Sequence, residues 1–414
     1  MTKRVYAIAF VLAVTCGLRL WAQAPQTMPA NDLHKVRNML REGYEAVKKN
    51  YYDPAFHGID LAAVDRQQPE KLKTSPTISV GFTVIAAFLD GLKDSHTSFM
   101  PPARSMTLDY GYRLAVIGDD VFVERVRPET DAASKVRPGD QLLTINGGEV
   151  GRESFQRMQY LLQILQPQTT TRLELKSPSG ERRSVSVDTK VTPGRVLRNL
   201  DGAGAGLEFQ DMELQDEALQ HLLRQRHVER DGVMIWKMPA FTMEKGEIDD
   251  LIGLARKQRT LILDLRGNPG GIVDRLMRIV SSLFDRDVTV ATRVGRKSPG
   301  LLLAKTRGDK AFTGKLIVLV DSASASCAEL LARVVQIEKR GVVLGDRTAG
   351  AVMEAQIHPF VQGDPVLVFY GFSVTDADLL MRDGKTLEHS GVVPDEVLLP
   401  VGADLASGRD PVLA

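Results

Sequence analysis

The 414-residue sequence has little cysteine: Cys16 and Cys327 are the only two. A disulfide-stapled scaffold is excluded, so the chain must fold on apolar cores. With 43% apolar residues it can, and its length corresponds to about two to four domains. Charge of one sign is lacking as well. Against 53 basic residues stand 52 acidic ones, a net +1 that offers no basic face for nucleic acid and no acidic tail. Beyond the N-terminal segment no apolar run reaches membrane-spanning length. None of the seven histidines lies in a His-Glu-x-x-His motif, and Cys327 has no second thiol nearby. No metal and no cofactor are therefore expected.

The first residues point to export. Lys3 and Arg4 precede the apolar run Val5–Leu18, which is short for a membrane span and suits a signal-peptide core. Pro25 hinders cleavage after Ala24, so cleavage is expected after Ala22, making residues 1–22 the signal peptide. Cys16 as a lipid-attachment site is the lesser alternative, disfavoured by Thr15 before it. The mature chain is expected to be periplasmic or secreted.

The remainder divides by texture. Residues 31–102 read as a helical region, in which Asn31 or Asp32 can cap a helix carrying Leu33, Val36, Leu40, Tyr44 and Val47, and a second helix covers Ile78–Leu92. Residues 104–190 read as a β-rich module, with hairpins around Gly118-Asp119-Asp120 and Ser177–Gly180. Residues 200–400 alternate strands with helices. The apolar runs Leu261–Leu265, Leu316–Val320 and Val342–Leu344 predict buried parallel strands of an α/β layer fold. Residues 401–414 form a C-terminal tail.

Two segments of the α/β region could carry chemistry. Val320–Glu329 is a small-residue strand-to-helix junction with Ser322, Ser324 and Ser326. Such a junction exposes a serine oxygen beside free N–H groups; its plainer reading is a serine-capped helix start. Leu265-Arg266-Gly267-Asn268-Pro269-Gly270-Gly271 follows a buried strand. It contains neither Gly-Lys-Ser/Thr nor Gly-x-Gly-x-x-Gly, so it reads as an oxyanion loop or a tight turn rather than a nucleotide loop. Periodicity does not single out one histidine.

Taken together, these segments resemble the C-terminal processing (tail-specific) peptidases and their tricorn-like relatives. The likeness runs in order through Lys93-Asp94-Ser95-His96-Thr97, Arg137-Pro138-Gly139-Asp140, Leu263–Gly271, Ser324–Glu329, Gly345–Gly350 and Glu388–Asp395. It implies a ClpP/crotonase-like peptidase core, an N-terminal helical region and an inserted PDZ domain. Many members place a catalytic lysine directly after the glycine matching Gly350; here that residue is Ala351, so a serine–lysine dyad at that position is excluded. The tricorn-like pattern instead implies Ser326 as nucleophile, His96 as base and Glu388 orienting it, with Ser95 in support. Cys327 and Gly270 or Gly271 would supply the oxyanion N–H groups. His389 and Lys385 are the rejected bases.

The PDZ likeness implies that Tyr112, Arg113 and Leu114 meet a peptide tail, with Arg113 on its carboxylate; the alternative is a domain that gates the site without capturing tails. The expected function is an exported serine endopeptidase acting on unfolded or C-terminal segments of polypeptides. An inactive peptide-binding protein on the same fold and an esterase with the same triad are its competitors.

Overall fold

The computed structural model describes residues 27–104, 106–193, 226–297, 299–363 and 367–414. The expected signal peptide, Cys16, His221 and the start of the 200–400 unit lie outside the described residues.

Helix α1 (Ala30–Asn50) buries Val36, Leu40 and Val47. Its N-cap is Pro29, two residues before Asn31, the earlier of the expected caps, and Asp32 lies in the first turn instead of capping it. In α2 (Leu61–Lys73), absent from the sequence reading, Asp60 caps by accepting from the Ala63 N–H at 3.0 Å. In α3 (Ile78–Asp90), Thr77 does the same for Val80 at 3.3 Å. The three helices pack Leu72, Ile85 and Leu89 with Phe99, Phe372 and Val374, so this core already includes strands from both ends of the chain. Phe99 lies in β1 (Ser98–Met100).

The β-rich module opens with β2 (Met106–Asp109) and contains β3 (Tyr112–Ile117), β4 (Asp120–Val126), α4 (Ala132–Lys135), β5 (Gln141–Ile145), β6 (Gly148–Glu149), α5 (Arg152–Gln159), β7 (Thr170–Lys176) and β8 (Arg182–Asp188). Its sheet order is β3-β4-β5-β7-β8, with β6 on β5. Both expected hairpins are present, β3 with β4 and β7 with β8. Strict alternation along β7 turns Thr171, Leu173 and Leu175 inward. β9 (Lys190–Pro193) pairs antiparallel with β2, so the two ends of the module leave it together.

The α/β core follows as β10 (Arg226–Arg230), β11 (Val233–Lys237), α6 (Lys245–Ala255), β12 (Thr260–Asp264), α7 (Val273–Leu283), β13 (Val288–Val294), β14 (Gly300–Ala304), β15 (Lys315–Val320), α8 (Cys327–Ile337), β16 (Val342–Gly345), β17 (Met353–Gln362), β18 (Val368–Leu380), β19 (Glu396–Val397) and α9 (Gly402–Ser407). One sheet has the order β10-β11-β12-β15-β16-β19, parallel except for β10. The apolar runs read as buried strands are β12, β15 and β16, with Leu261, Leu263, Val318, Val320 and Val343 at 0% exposure. A second sheet, β1-β18-β13-β14 with β17 on β18, is antiparallel throughout. It joins the N-terminal region to the core through β1.

The module meets the core at the loop after β16. Arg152 Nη2 pairs with Asp346 Oδ2 at 2.6 Å, with side-chain exposures of 11% and 10%. Arg152 also donates from Nη1 to Arg347 O (2.9 Å) and from Nε to Gly118 O (2.6 Å), while the Gly118 N–H donates to Asp346 Oδ2 (2.9 Å). From the loop after β15, the Ser322 hydroxyl donates to Val116 O in β3 at 2.6 Å.

Candidate active site

β12 and β15 are parallel neighbours, with Asp264 opposite Leu319, so the loops leaving their C-terminal ends lie side by side. Those loops are the glycine segment and the serine segment. Asp321 ties them together, its Oδ1 accepting from the Gly267 N–H at 2.8 Å. Ser324, fully buried, donates from Oγ to Leu265 O at 2.9 Å. Asn268, also fully buried, accepts from the Ala325 N–H at its carbonyl (2.9 Å) and donates from Nδ2 to Met238 O (2.9 Å).

Ser326 stands at the N-cap of α8 with φ 53° and ψ −116°, a backbone region that side-chain-bearing residues seldom occupy. A strained strand-to-helix turn of this kind holds a serine away from its own helix. Gly270 makes room for it: at φ +97°, a Cβ there would lie 2.7 Å from Ser326 Cβ. The two expected oxyanion glycines are not equivalent. The Gly270 N–H already donates to Asn268 Oδ1 at 2.8 Å. Among the described residues, the N–H groups of Gly271 and Cys327 have no hydrogen-bond acceptor, and the latter opens the positive end of α8. The Cys327 side chain is buried and its thiol is pushed up to about 12 by that burial, so it packs rather than reacts.

Glu329, fully buried on the first turn of α8, is a fastening point that the sequence reading used only as the end of a motif. Its carboxylate accepts from the N–H groups of Ser326 (3.0 Å), Gly350 (2.8 Å) and Ala351 (2.9 Å) and from Thr348 Oγ1 (2.5 Å). Burial pushes its pKa up, and these hydrogen bonds pull the other way. Ala351, where a lysine dyad would carry its base, contributes backbone instead: its carbonyl accepts from the Ser326 N–H at 2.9 Å.

His96, Ser95 and Glu388 come together from residues nearly 300 positions apart. His96 Nδ1 is 2.7 Å from Ser95 Oγ, and Ser95 Oγ donates to Glu388 Oε2 at 3.0 Å. Glu388, with 8% side-chain exposure, also accepts from the Ser95 N–H (2.7 Å) and the Val352 N–H (2.8 Å). Burial pushes the His96 pKa below its ordinary value, and the Glu388 and Asp94 charges work against that shift. No hydrogen bond between the Ser326 hydroxyl and His96 occurs among the described residues. His389, the rejected base, is bonded through Nε2 to Lys93 O at 2.8 Å. Lys385 lies in the turn after β18, where its N–H donates to Asp383 Oδ1 at 3.3 Å.

The expected tail contacts have partners within the module. Arg113 pairs across the sheet with Glu124 at 2.9 Å, and Tyr112 shares a hydrogen bond with Thr171 (3.2 Å). Leu114 packs on the module's core.

Comparison with known proteins agrees with the motifs. A profile described as peptidase family S41 matches residues 233–398. A probable CtpA-like serine protease of Staphylococcus haemolyticus is 22% identical over 376 residues, covering 87% of this chain and 66% of that protein. Carboxyl-terminal-processing peptidase 3 of Arabidopsis thaliana chloroplasts is 20% identical over 429 residues, covering 95% of this chain and 76% of its own. The chain thus spans between 66% and 76% of the length of these relatives. Mature CPAF shares the fold at TM-score 0.67 and 16% identity, covering 91% of this chain and 95% of that one. The photosystem II D1 C-terminal processing protease does so at TM-score 0.51 and 21% identity, covering 92% and 99%. The match to peptidase family S41 thus falls on the α/β core, residues 233–398, which carries both the glycine loop and the serine loop.

Proposed function

We propose that this chain is an exported serine endopeptidase that cuts unfolded or C-terminal segments of proteins through an acyl-enzyme on Ser326. The observation that carries the reading is the relay from His96 Nδ1 through Ser95 Oγ to the Glu388 carboxylate. A histidine held this way presents Nε2 as a base while its developing charge is stabilised from behind. Ser326 Oγ attacks the scissile carbonyl carbon and its proton passes to His96 Nε2. The Ser326–His96 hydrogen bond is made once substrate closes the site, as competent bonds often are.

The oxyanion is held by the N–H groups of Cys327 and Gly271, Gly270 serving as the glycine that clears space. The carbon–nitrogen bond then breaks, and His96 returns the proton to the departing amine. Water, activated by the same nitrogen, adds to the acyl carbon and releases Ser326. Export rests on the N-terminal sequence pattern.

Labelling with a fluorophosphonate probe tests the reading, with peptide mapping to place the adduct. The expected result is modification of Ser326 that is lost in Ser326→Ala and in His96→Ala. An unlabelled Ser326, with unfolded polypeptide also left uncut, would replace this reading with a peptide-binding protein on a peptidase fold.

A further inference from the structure

The segment that carries His96 is held by more than Ser95 and Glu388. Asp94 closes it into a tight turn: its Oδ1 accepts from the His96 N–H at 3.0 Å and from the Thr97 N–H at 2.7 Å. The same oxygen accepts from Thr375 Oγ1 at 2.6 Å. Thr375 is fully buried in β18 and its N–H donates to Thr97 Oγ1 at 3.1 Å, so the turn is pinned to a strand that cannot move without the second sheet. The other Asp94 oxygen, Oδ2, is buried. The Tyr51 phenol lies beside Asp94, and its pKa is raised by burial, by the Asp94 charge and by a side-chain hydrogen bond to Asp94.

A buried carboxylate, one oxygen of which already takes three donors, is costly where packing is the only need. An amide or a serine could close the turn as well. The charge itself therefore needs a use, and the nearest group that gains one in a catalytic cycle is the His96 imidazole.

We propose that Asp94 is a positioning residue for His96: it sets the ring's place through the turn and, with Glu388, supplies the negative field that steadies the imidazolium. The inference rests on the serine-peptidase reading for its kinetic part alone. The charges acting on His96 are Glu388 from across the site and Asp94 from its own turn. Tyr51 and Tyr52 flank Asp94, and His389 holds the turn's far side at Lys93 O.

Two readouts separate the possibilities, both on the full chain: the His96 ring titration by NMR, assigned with His96→Gln, and the pH profile of fluorophosphonate labelling. Asp94→Asn keeps the Oδ1 acceptor and removes the charge. It should move the His96 titration, and the acidic limb of labelling, to lower pH. It should also slow labelling about tenfold to a hundredfold on the plateau, the size of one charge-assisted contact. Thr375→Val frees the turn but leaves the charge, so it should slow labelling while moving the limb far less than Asp94→Asn does.

An Asp94→Asn protein with an unmoved His96 titration and unchanged labelling overturns the inference. If Ser326 of the wild type resists labelling while the titration still moves in Asp94→Asn, the peptidase reading fails and the Asp94 assignment stands. Should Asp94→Asn fail to fold, Asp94→Glu serves instead. It keeps the charge on a longer arm, so a wild-type plateau rate in that variant would also overturn the positioning role.

Discussion

Glu329→Gln isolates what holds the nucleophile in place. The substitution is isosteric, but an amide offers one acceptor oxygen where the carboxylate offers two. Glu329 Oε1 serves Thr348 and Gly350, while Oε2 serves Ser326 and Ala351. With its NH₂ toward Thr348 and Gly350 the amide strands two donors in a fully buried place; turned the other way it strands the Ala351 N–H, while the Ser326 N–H keeps the Ala351 carbonyl. At about 1–3 kcal/mol for each unmet buried donor, and with some relaxation, the loss is about 2–4 kcal/mol. That is a large part of a total stability of about 5–15 kcal/mol. A domain of this size shifts by about 2–4 °C per kcal/mol, so Tm should fall by roughly 4–15 °C. Fluorophosphonate labelling of Ser326 should slow more than tenfold even well below the new Tm, because the Ser326 and Ala351 N–H groups are no longer held by one carboxylate. Calorimetry and timed labelling of the same preparation provide the check. A Tm within about 1 °C of wild type together with an unchanged labelling rate would refute the claim that this carboxylate fastens the loop.

Gly270→Ala should abolish labelling, since its Cβ would sit 2.7 Å from Ser326 Cβ at a φ of +97°; a wild-type labelling rate would disprove the close approach. Ser95→Ala should lower kcat about tenfold or more with KM nearly unchanged, measured on an unfolded protein such as casein; an unaltered kcat would remove Ser95 from the relay. The base must be neutral to accept a proton and burial holds His96 below its ordinary value, so the acidic limb of wild-type kcat/KM should lie below the usual histidine value of about 6.5; a limb above it contradicts that environment. Cys327 should resist iodoacetamide in the native protein and react once unfolded, and mass spectrometry would expose the opposite behaviour.

The parts of the fold set by local chemistry were legible in the sequence. β12, β15 and β16 are continuous apolar runs, and the alternation of β7 and β8 settles their hairpin. Helix α2 was not legible, because only Leu61, Gln68 and Leu72 of its residues are buried and no apolar stripe emerges. The second sheet was hidden for a related reason. β18 buries Thr375 and Asp376 among its apolar residues, since their partners are the His96 turn and Gln356, and burial of that kind leaves no period-2 apolar pattern. In the site, small residues and glycines marked the serine and glycine loops. Nothing local marks Glu388 or Asp94: each matters for what it meets across the fold. The role of Glu329 had a faint signal in its spacing of three from Ser326, the first-turn position where a side chain returns to the N-cap N–H.

The Arg152–Asp346 contact bears on modularity. Residues 106–193 enter and leave through one two-stranded ribbon, which suggests a cassette that could be cut out or exchanged. The buried ion pair makes that untrue. Excision would leave the Asp346 carboxylate without its guanidinium, on the same loop whose Thr348 and Gly350 serve Glu329, and orphaning one member of a buried pair costs about 3–5 kcal/mol. It would also leave the Ser322 hydroxyl without its acceptor four residues before Ser326. A grafted module would have to bring an arginine at position 152 and a free strand carbonyl at position 116, or the core would need new residues at 346 and 322. The insertion and the loops it touches can be exchanged only as one set.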